Sequence, residues 1–215
     1  MWRGAVVSVH IARAAREPMI EIDPARAVAR RGLEGDRYYE GKGFYSDHPG
    51  PIREVSLIEE ETIQALRRDH GLVPGATRRN ILTRGVHLNH LIEREFRVGE
   101  ATLRGVELCE PCKHVVDVTG ITGLLPALVH GGGLHARILS GGRIRAGDAI
   151  EPAGGVQDTR SWTYPARSYD RNRSRYAAMS RICASTQSSM VLSRTVSRSA
   201  FARRRRSWGG MVRAS

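Results

Sequence analysis

Cysteine is scarce in this 215-residue chain, with only Cys109, Cys112 and Cys183 present. So sparse and odd a set excludes a disulfide-stapled secreted scaffold and fits a reducing compartment. No segment approaches the roughly 20 apolar residues needed to span a bilayer. Met1-Trp2-Arg3 leads into a short alternating run rather than the apolar core of a signal peptide. The chain therefore reads as soluble and cytoplasmic, with no membrane partner. No internal repeat is visible.

Lysine is missing beyond Pro152, where thirteen arginines stand against two acids, Asp158 and Asp170. That stretch carries +11 of the formal net charge of +12 and leaves +1 for everything before it. The overall basicity therefore does not mark the folded part as a polyanion-binding domain. The same stretch lacks apolar periodicity, so burial cannot offset an ordering entropy of about 1–2 kcal/mol per residue. The expected organisation is one domain over residues 1–152 and a disordered Arg/Ser-rich tail over 153–215. The abrupt change of character also fits a reading-frame shift near the end of the gene. One alternative function rests on the tail alone: nucleic-acid binding through Arg203-Arg204-Arg205-Arg206, with Tyr or Trp residues stacking on bases.

What remains is strand-rich. Residues 5–11 and 19–22 are Val/Ile-rich and separated by turn formers, and 26–31 can extend the pairing. Residues 32–39 place two glycines around a charged loop, and the polar, Gly-rich segment that follows as far as Pro51 reads as an exposed loop. Residues 55–58 form a strand candidate. After it, 59–72 puts Ile63, Leu66 and His70 on helical spacing, with acids in the first turn and Gly71 at the stop. Residues 78–83 read as a strand. Residues 95–98 and 101–108 flank Gly99-Glu100 as a hairpin. A short helix is expected over 124–130, broken by Gly131-Gly132-Gly133, and two last strands over 134–139 and 143–150. Short strands with Gly-marked turns and one or two helices predict a mainly β fold, a barrel with helical insertions.

The most reactive-looking segment is Leu108-Cys109-Glu110-Pro111-Cys112-Lys113. Nearby cations favour thiolate, which is both a nucleophile and a soft-metal ligand. A zinc site needs two further Cys or His ligands and there is no second C-x-x-C, although several histidines could serve. A thioredoxin-like dithiol needs a βαβ setting, which this strand order does not supply. Two ordinary semi-buried cysteines are the third reading. Arg78-Arg79-Asn80 offers two guanidinium forks and an amide, suited to a phosphate and a heteroaromatic edge or to surface ion pairs. Arg37 has the same two readings, as an anion contact or as a partner of Asp36 or Glu34. Gly131-Gly132-Gly133 reads as a tight turn or a backbone anion nest.

In order along the chain, several pieces coincide with one pattern. They are Ala5-Val6-Val7-Ser8-Val9-His10-Ile11-Ala12, Gly32-Leu33-Glu34-Gly35-Asp36-Arg37-Tyr38, Leu57-Ile58-Glu59, Arg78-Arg79-Asn80-Ile81, Gly85-Val86-His87-Leu88-Asn89, Phe96-Arg97-Val98-Gly99, Leu108-Cys109-Glu110-Pro111-Cys112, Gly132-Gly133-Leu134-His135-Ala136-Arg137 and Gly147-Asp148-Ala149-Ile150. Over residues 4–151 the chain resembles the MOSC family, named for the C-terminal domain of molybdenum cofactor sulfurase.

The resemblance implies a β-barrel like the barrel domain of pyruvate kinase. It implies one cysteine that carries sulfur as a persulfide or ligates molybdenum, and basic and amide groups that hold the pterin phosphate. Cys112 occupies the Pro-Cys position of that thiol, as catalytic residue and metal ligand, and Cys109 is the supporting thiol. Arg78 and Asn80 look like the family's Arg-x-Asn cofactor contacts and Arg37 like a further phosphate contact. The implied cofactor is molybdopterin-bound molybdenum. The implied partners are a sulfur donor or acceptor such as a cysteine desulfurase, and a redox partner if N-hydroxylated bases are reduced. An aminotransferase-like domain and the extra N-terminal barrel half of larger members are missing, so no pyridoxal phosphate is expected.

Overall fold

The computed structural model describes residues 2–121 and 123–154. The expectations placed on the tail, disorder and polyanion binding, fall on residues outside these. The strands in chain order are β1 (Gly4–Ile11), β2 (Ile20–Glu21), β3 (Ala25–Val28), β4 (Gly32–Leu33), β5 (Val55–Glu59), β6 (Ile81–Arg84), β7 (Glu95–Val98), β8 (Ala101–Leu108), β9 (Leu134–Ser140), β10 (Gly142–Ile144) and β11 (Ala149–Pro152). The helices are α1 (Glu60–His70), α2 (Lys113–Thr119) and α3 (Leu124–Ala127).

Seven strands close a barrel in the order β11-β7-β8-β9-β5-β6-β1, sealed by β1 pairing back onto β11. Neighbours are antiparallel except β5 and β6, which run parallel with α1 as their crossover. β2 extends the far end of β1, and β10, β3 and β4 form a small separate sheet. The mainly β class and the barrel expected from the sequence are both present.

Two apolar clusters explain the layering. Inside the barrel lie Val6, Val9, Val55, Leu57, Ile81, Phe96, Leu103, Leu134 and Ile138 among others. Each fully buried side chain of this kind contributes about 1.5–3 kcal/mol. Strand side chains alternate between faces, yet Val6 and Val9, of opposite parity, both point inward. The register shift between Val6 and Ser8 resets the faces and turns Val7 toward the outer cluster. Outside, Ile58 and Leu82 meet Ile63 and Leu66 of α1, Val115 of α2 and Leu124 of α3. The parallel pair is thus buried on both faces, as parallel strands require.

The expected helix over 59–72 is α1, capped by Gly71 in the left-handed region with acids Glu60 and Glu61 in its first turn. Three differences stand out. The strand expected from residue 78 starts at Ile81, because Arg78 has φ +62°, outside the extended region. The last two expected strands are three, since Gly142–Ile144 pairs with β3 rather than continuing toward β11. Directly after Cys112, α2 was not expected; its single buried residue, Val115, leaves too weak an apolar period to read. Among the described residues, no helix is long and apolar enough to cross a membrane.

His10, near the end of β1, is buried with its Nε2 3.9 Å from a Glu21 carboxylate oxygen. Burial outweighs that carboxylate and lowers the imidazole below its ordinary 6.5. The unfolded chain therefore takes up this proton before the folded one does. Stability is then full above about pH 6.5 and is lost as pH falls toward the lowered folded value. Urea midpoints measured on either side of neutrality are expected to fall on the acid side, and His10→Gln to flatten that dependence.

Candidate active site

Cys112 is the residue capping the start of α2, with extended backbone (φ −130°, ψ 166°), reached from the end of β8 through residues 109–111. Its thiol is half-buried, whereas Cys109 is buried. The Tyr45 hydroxyl donates to Cys112 Sγ at 3.7 Å. The Tyr45 phenol is pushed up to about 12, first by burial and then by this bond, so it keeps its proton and stays a donor. Phe44 stacks on His114 at 4.2 Å between ring centroids and 19° between planes, and meets Tyr45 edge-on at 4.9 Å. The segment expected to be an exposed loop therefore supplies an aromatic wall to the thiol.

Cations surround this wall. Burial first, then the Arg78, Arg16 and Arg37 guanidiniums, lower the His114 imidazole, which keeps it neutral around physiological pH. The Arg37 guanidinium lies 4.9 Å from the Tyr38 ring centroid and that of Arg53 lies 4.7 Å from the Tyr45 ring centroid. The Cys109 thiol is pushed up to about 11 by burial, against an opposing Arg79. At neutral pH Cys109 is therefore held in its thiol form. Of the two thiols in the C-x-x-C segment, only Cys112 has both access and a polar partner.

Arg37, Arg78 and Asn80 come together in one buried network centred on Asp36. Arg37 pairs with the Asp36 carboxylate at 3.0 Å and donates to the Arg78 carbonyl at 3.2 Å. Arg78 adopts a left-handed backbone and donates to the carbonyls of Glu17, Ala14 and Ala15. Burial and the neighbouring Arg37 lower its guanidinium to about 10. Asn80 Nδ2 donates to the His10 carbonyl and Asp36, and its Oδ1 accepts from the Ser56 N–H and hydroxyl. All four hydrogen-bonding positions of that amide are occupied within the protein. These residues set the positive field and the shape of the site, with their polar atoms largely engaged internally.

Arg79 lies between the two expected cofactor contacts, Arg78 and Asn80. Its guanidinium is buried and donates to the carbonyls of Gly132 (2.7 Å), Thr77 (2.8 Å) and Cys109 (2.9 Å). It thereby ties the cysteine segment to the glycine turn and to the approach to β6. Gly132 is required for this closeness, since a Cβ there would stand 2.2 Å from the Cys109 carbonyl oxygen. The glycine run therefore serves close packing under the cysteine segment. Tyr45 and Arg53 were missed; the only signal for them was aromatic and basic residues within a Gly-rich loop.

Among the described residues, no group of three or more His, Cys, Asp or Glu side chains is placed to hold a metal ion. The zinc reading of the C-x-x-C segment thus finds no ligand set there. The thioredoxin-like reading fails on topology, because β8 and β9 are antiparallel neighbours and α2 has only 7 residues. A cavity of about 330 Å³ beside Glu59, His87, His90 and His130 contains none of the expected site residues.

Residues 45–151 match the MOSC domain family, and this span holds Tyr45, the Arg78 to Asn80 segment and Cys112. The chain belongs to the MOSC domain family. Solved structures agree on the fold. The YuaD protein of Bacillus subtilis is 19% identical with a TM-score of 0.55, over 70% of this chain and 97% of that one. YiiM from Escherichia coli is 21% identical with a TM-score of 0.54, over 74% and 73% of the respective chains. YiiM from Geobacillus stearothermophilus is 15% identical with a TM-score of 0.55, over 72% and 77%. No curated protein matches the sequence.

The site of this MOSC domain can be tested against the cofactor associated with its family. A half-buried thiol is the soft donor that molybdenum takes. The positive field of Arg37, Arg78 and Arg16 suits an anionic pterin phosphate. The buried Nε of Arg53 has no hydrogen-bond partner. On donor type and charge, the residues present fit the group.

Proposed function

We propose that this MOSC domain works in the cytoplasm through the Cys112 sulfur, which carries sulfur as a persulfide or ligates the molybdenum of a pterin cofactor. The observation that carries the reading is the pairing of an accessible Cys112, hydrogen-bonded by Tyr45, with a buried and inert Cys109. In the sulfur-carrying step, the Cys112 thiolate attacks the terminal sulfur of a persulfide on a donor protein such as a cysteine desulfurase. The new S–S bond leaves Cys112 as a persulfide, the donor's sulfur–sulfur bond breaks, and the donor cysteine departs as thiolate, with no net oxidation. Tyr45 holds the reacting sulfur through its hydroxyl.

When bound, a molybdenum cofactor would supply two-electron redox chemistry, the reaction class being reduction of an N-hydroxylated compound with electrons from a redox partner. Cys112 would be the protein ligand, and the Arg37 and Arg78 field, shaped by Asn80, would hold the phosphate end.

The test compares wild type with Cys112→Ser, both produced in a cofactor-competent host. Molybdenum and pterin content are measured, together with sulfur transfer from a cysteine desulfurase by peptide mass spectrometry. The expected result is that wild type gains metal and pterin, or one sulfur on the Cys112 peptide, and that Cys112→Ser gains neither. Wild type lacking both would overturn the reading.

A further inference from the structure

Arg53 ends the 3-10 turn Pro51–Arg53, with only Glu54 between it and β5. Its guanidinium carbon lies 4.7 Å from the Tyr45 ring centroid and 5.7 Å from that of Tyr38. Tyr45 is the residue whose hydroxyl bonds Cys112 Sγ, so the cation stands one phenol ring away from the sulfur.

What distinguishes Arg53 is the state of its donors. Arg37 is paired with Asp36, and Arg78 and Arg79 each donate to three carbonyls. Among the described residues, Arg53 has no carboxylate partner, and its buried Nε donates to nothing. Two aromatic faces hold the guanidinium plane in place without using its in-plane N–H groups. A guanidinium set against two aromatic rings, with no carboxylate partner among the described residues, matches the two-oxygen edge of a phosphate or carboxylate.

We propose that Arg53 is the anion receptor of the Cys112 site, binding an oxyanion group carried by the molecule that reacts at Cys112. This rests on Cys112 being the reacting atom. It moves direct anion contact from Arg37 and Arg78, whose donors are engaged inside the protein, to a residue the sequence pattern did not single out. Tyr45 then has two jobs, one through its hydroxyl on the sulfur and one through its ring on the receptor.

The experiment compares alkylation of Cys112 in the full chain by anionic iodoacetate and neutral iodoacetamide, followed at the Cys112 peptide by mass spectrometry. In both reactions the thiolate forms an S–C bond and iodide leaves, so the ratio of rates cancels intrinsic thiol reactivity. In wild type the ratio is expected to exceed that of the urea-unfolded protein. Arg53→Met is expected to lower it by about tenfold, the order of one hydrogen bond to a charged group. Arg53→Lys, which keeps the charge, is expected to retain part of the preference. Inorganic phosphate and acetate, added separately to wild type, are expected to slow iodoacetate selectively, and the more effective one identifies the preferred oxyanion. A ratio unchanged in Arg53→Met, or a wild-type ratio indifferent to both anions, overturns the receptor. Failure of wild-type Cys112 to react with even iodoacetamide overturns the reading of Cys112 itself.

Discussion

Replacing Asp36 with alanine is expected to cost about 3–5 kcal/mol of folding stability, the range found when one member of a buried ion pair is removed. Asp36 and Arg37 are both buried. One carboxylate oxygen of Asp36 accepts from Arg37 (3.0 Å), the Ala12 N–H (3.2 Å) and Asn80 Nδ2 (3.2 Å), while the other accepts from the Tyr38 N–H (3.0 Å). Alanine strands a guanidinium, an amide and two backbone donors together. Asp36→Asn, which keeps the shape and gives up the charge, is expected to lose less. Urea unfolding followed by circular dichroism measures both, and a loss under 1 kcal/mol in Asp36→Ala would contradict the network described for this site.

The second large effect belongs to Arg79. Arg79→Met removes the donors to the carbonyls of Thr77, Cys109 and Gly132. Leaving a buried polar group unsatisfied costs about 1–3 kcal/mol, so a total of about 3 kcal/mol is expected after partial entry of water. Lysine presents one ammonium in place of a planar fork and cannot hold three separate carbonyls in the same geometry, so Arg79→Lys should recover only part. The local consequence separates this from general destabilisation. With the clamp gone, residues 109–111 loosen, and Cys109 should become open to alkylation under conditions where the rest of the domain stays folded. Hydrogen exchange confined to the cysteine segment and the glycine turn would show the same thing.

The barrel was legible because its strands carry Val and Ile at short spacing between Gly-marked turns, and the hairpin at β7 and β8 because its connection is two residues long. Helix α1 was legible from Ile63, Leu66 and the stop at Gly71. The cysteine was legible through its motif. The environment of the cysteine was not, since it depends on contacts between residues 67 positions apart, as in Tyr45 and Cys112. Within one sequence, Phe44, Tyr45 and Arg53 look like ordinary loop residues. The segment Arg78-Arg79-Asn80 shows the limit most clearly. Its residue types suit an anion site, and three of its neighbourhood's strongest donors lie there, yet burial turns most of them onto the protein's own carbonyls. Backbone carbonyls carry no signature in a sequence, so the partner of a buried arginine cannot be read from the arginine alone.

Cys112, and not Cys109, is the thiol we propose as the reactive one around which the site is built. Site-resolved labelling of the native protein at neutral pH with iodoacetamide, read by peptide mass spectrometry, tests it most directly. The account predicts that Cys112 is labelled while Cys109, held protonated by burial with its thiol near 11, remains unlabelled until the protein is unfolded. Equal labelling of both cysteines in the native state, or labelling of Cys109 first, would contradict it.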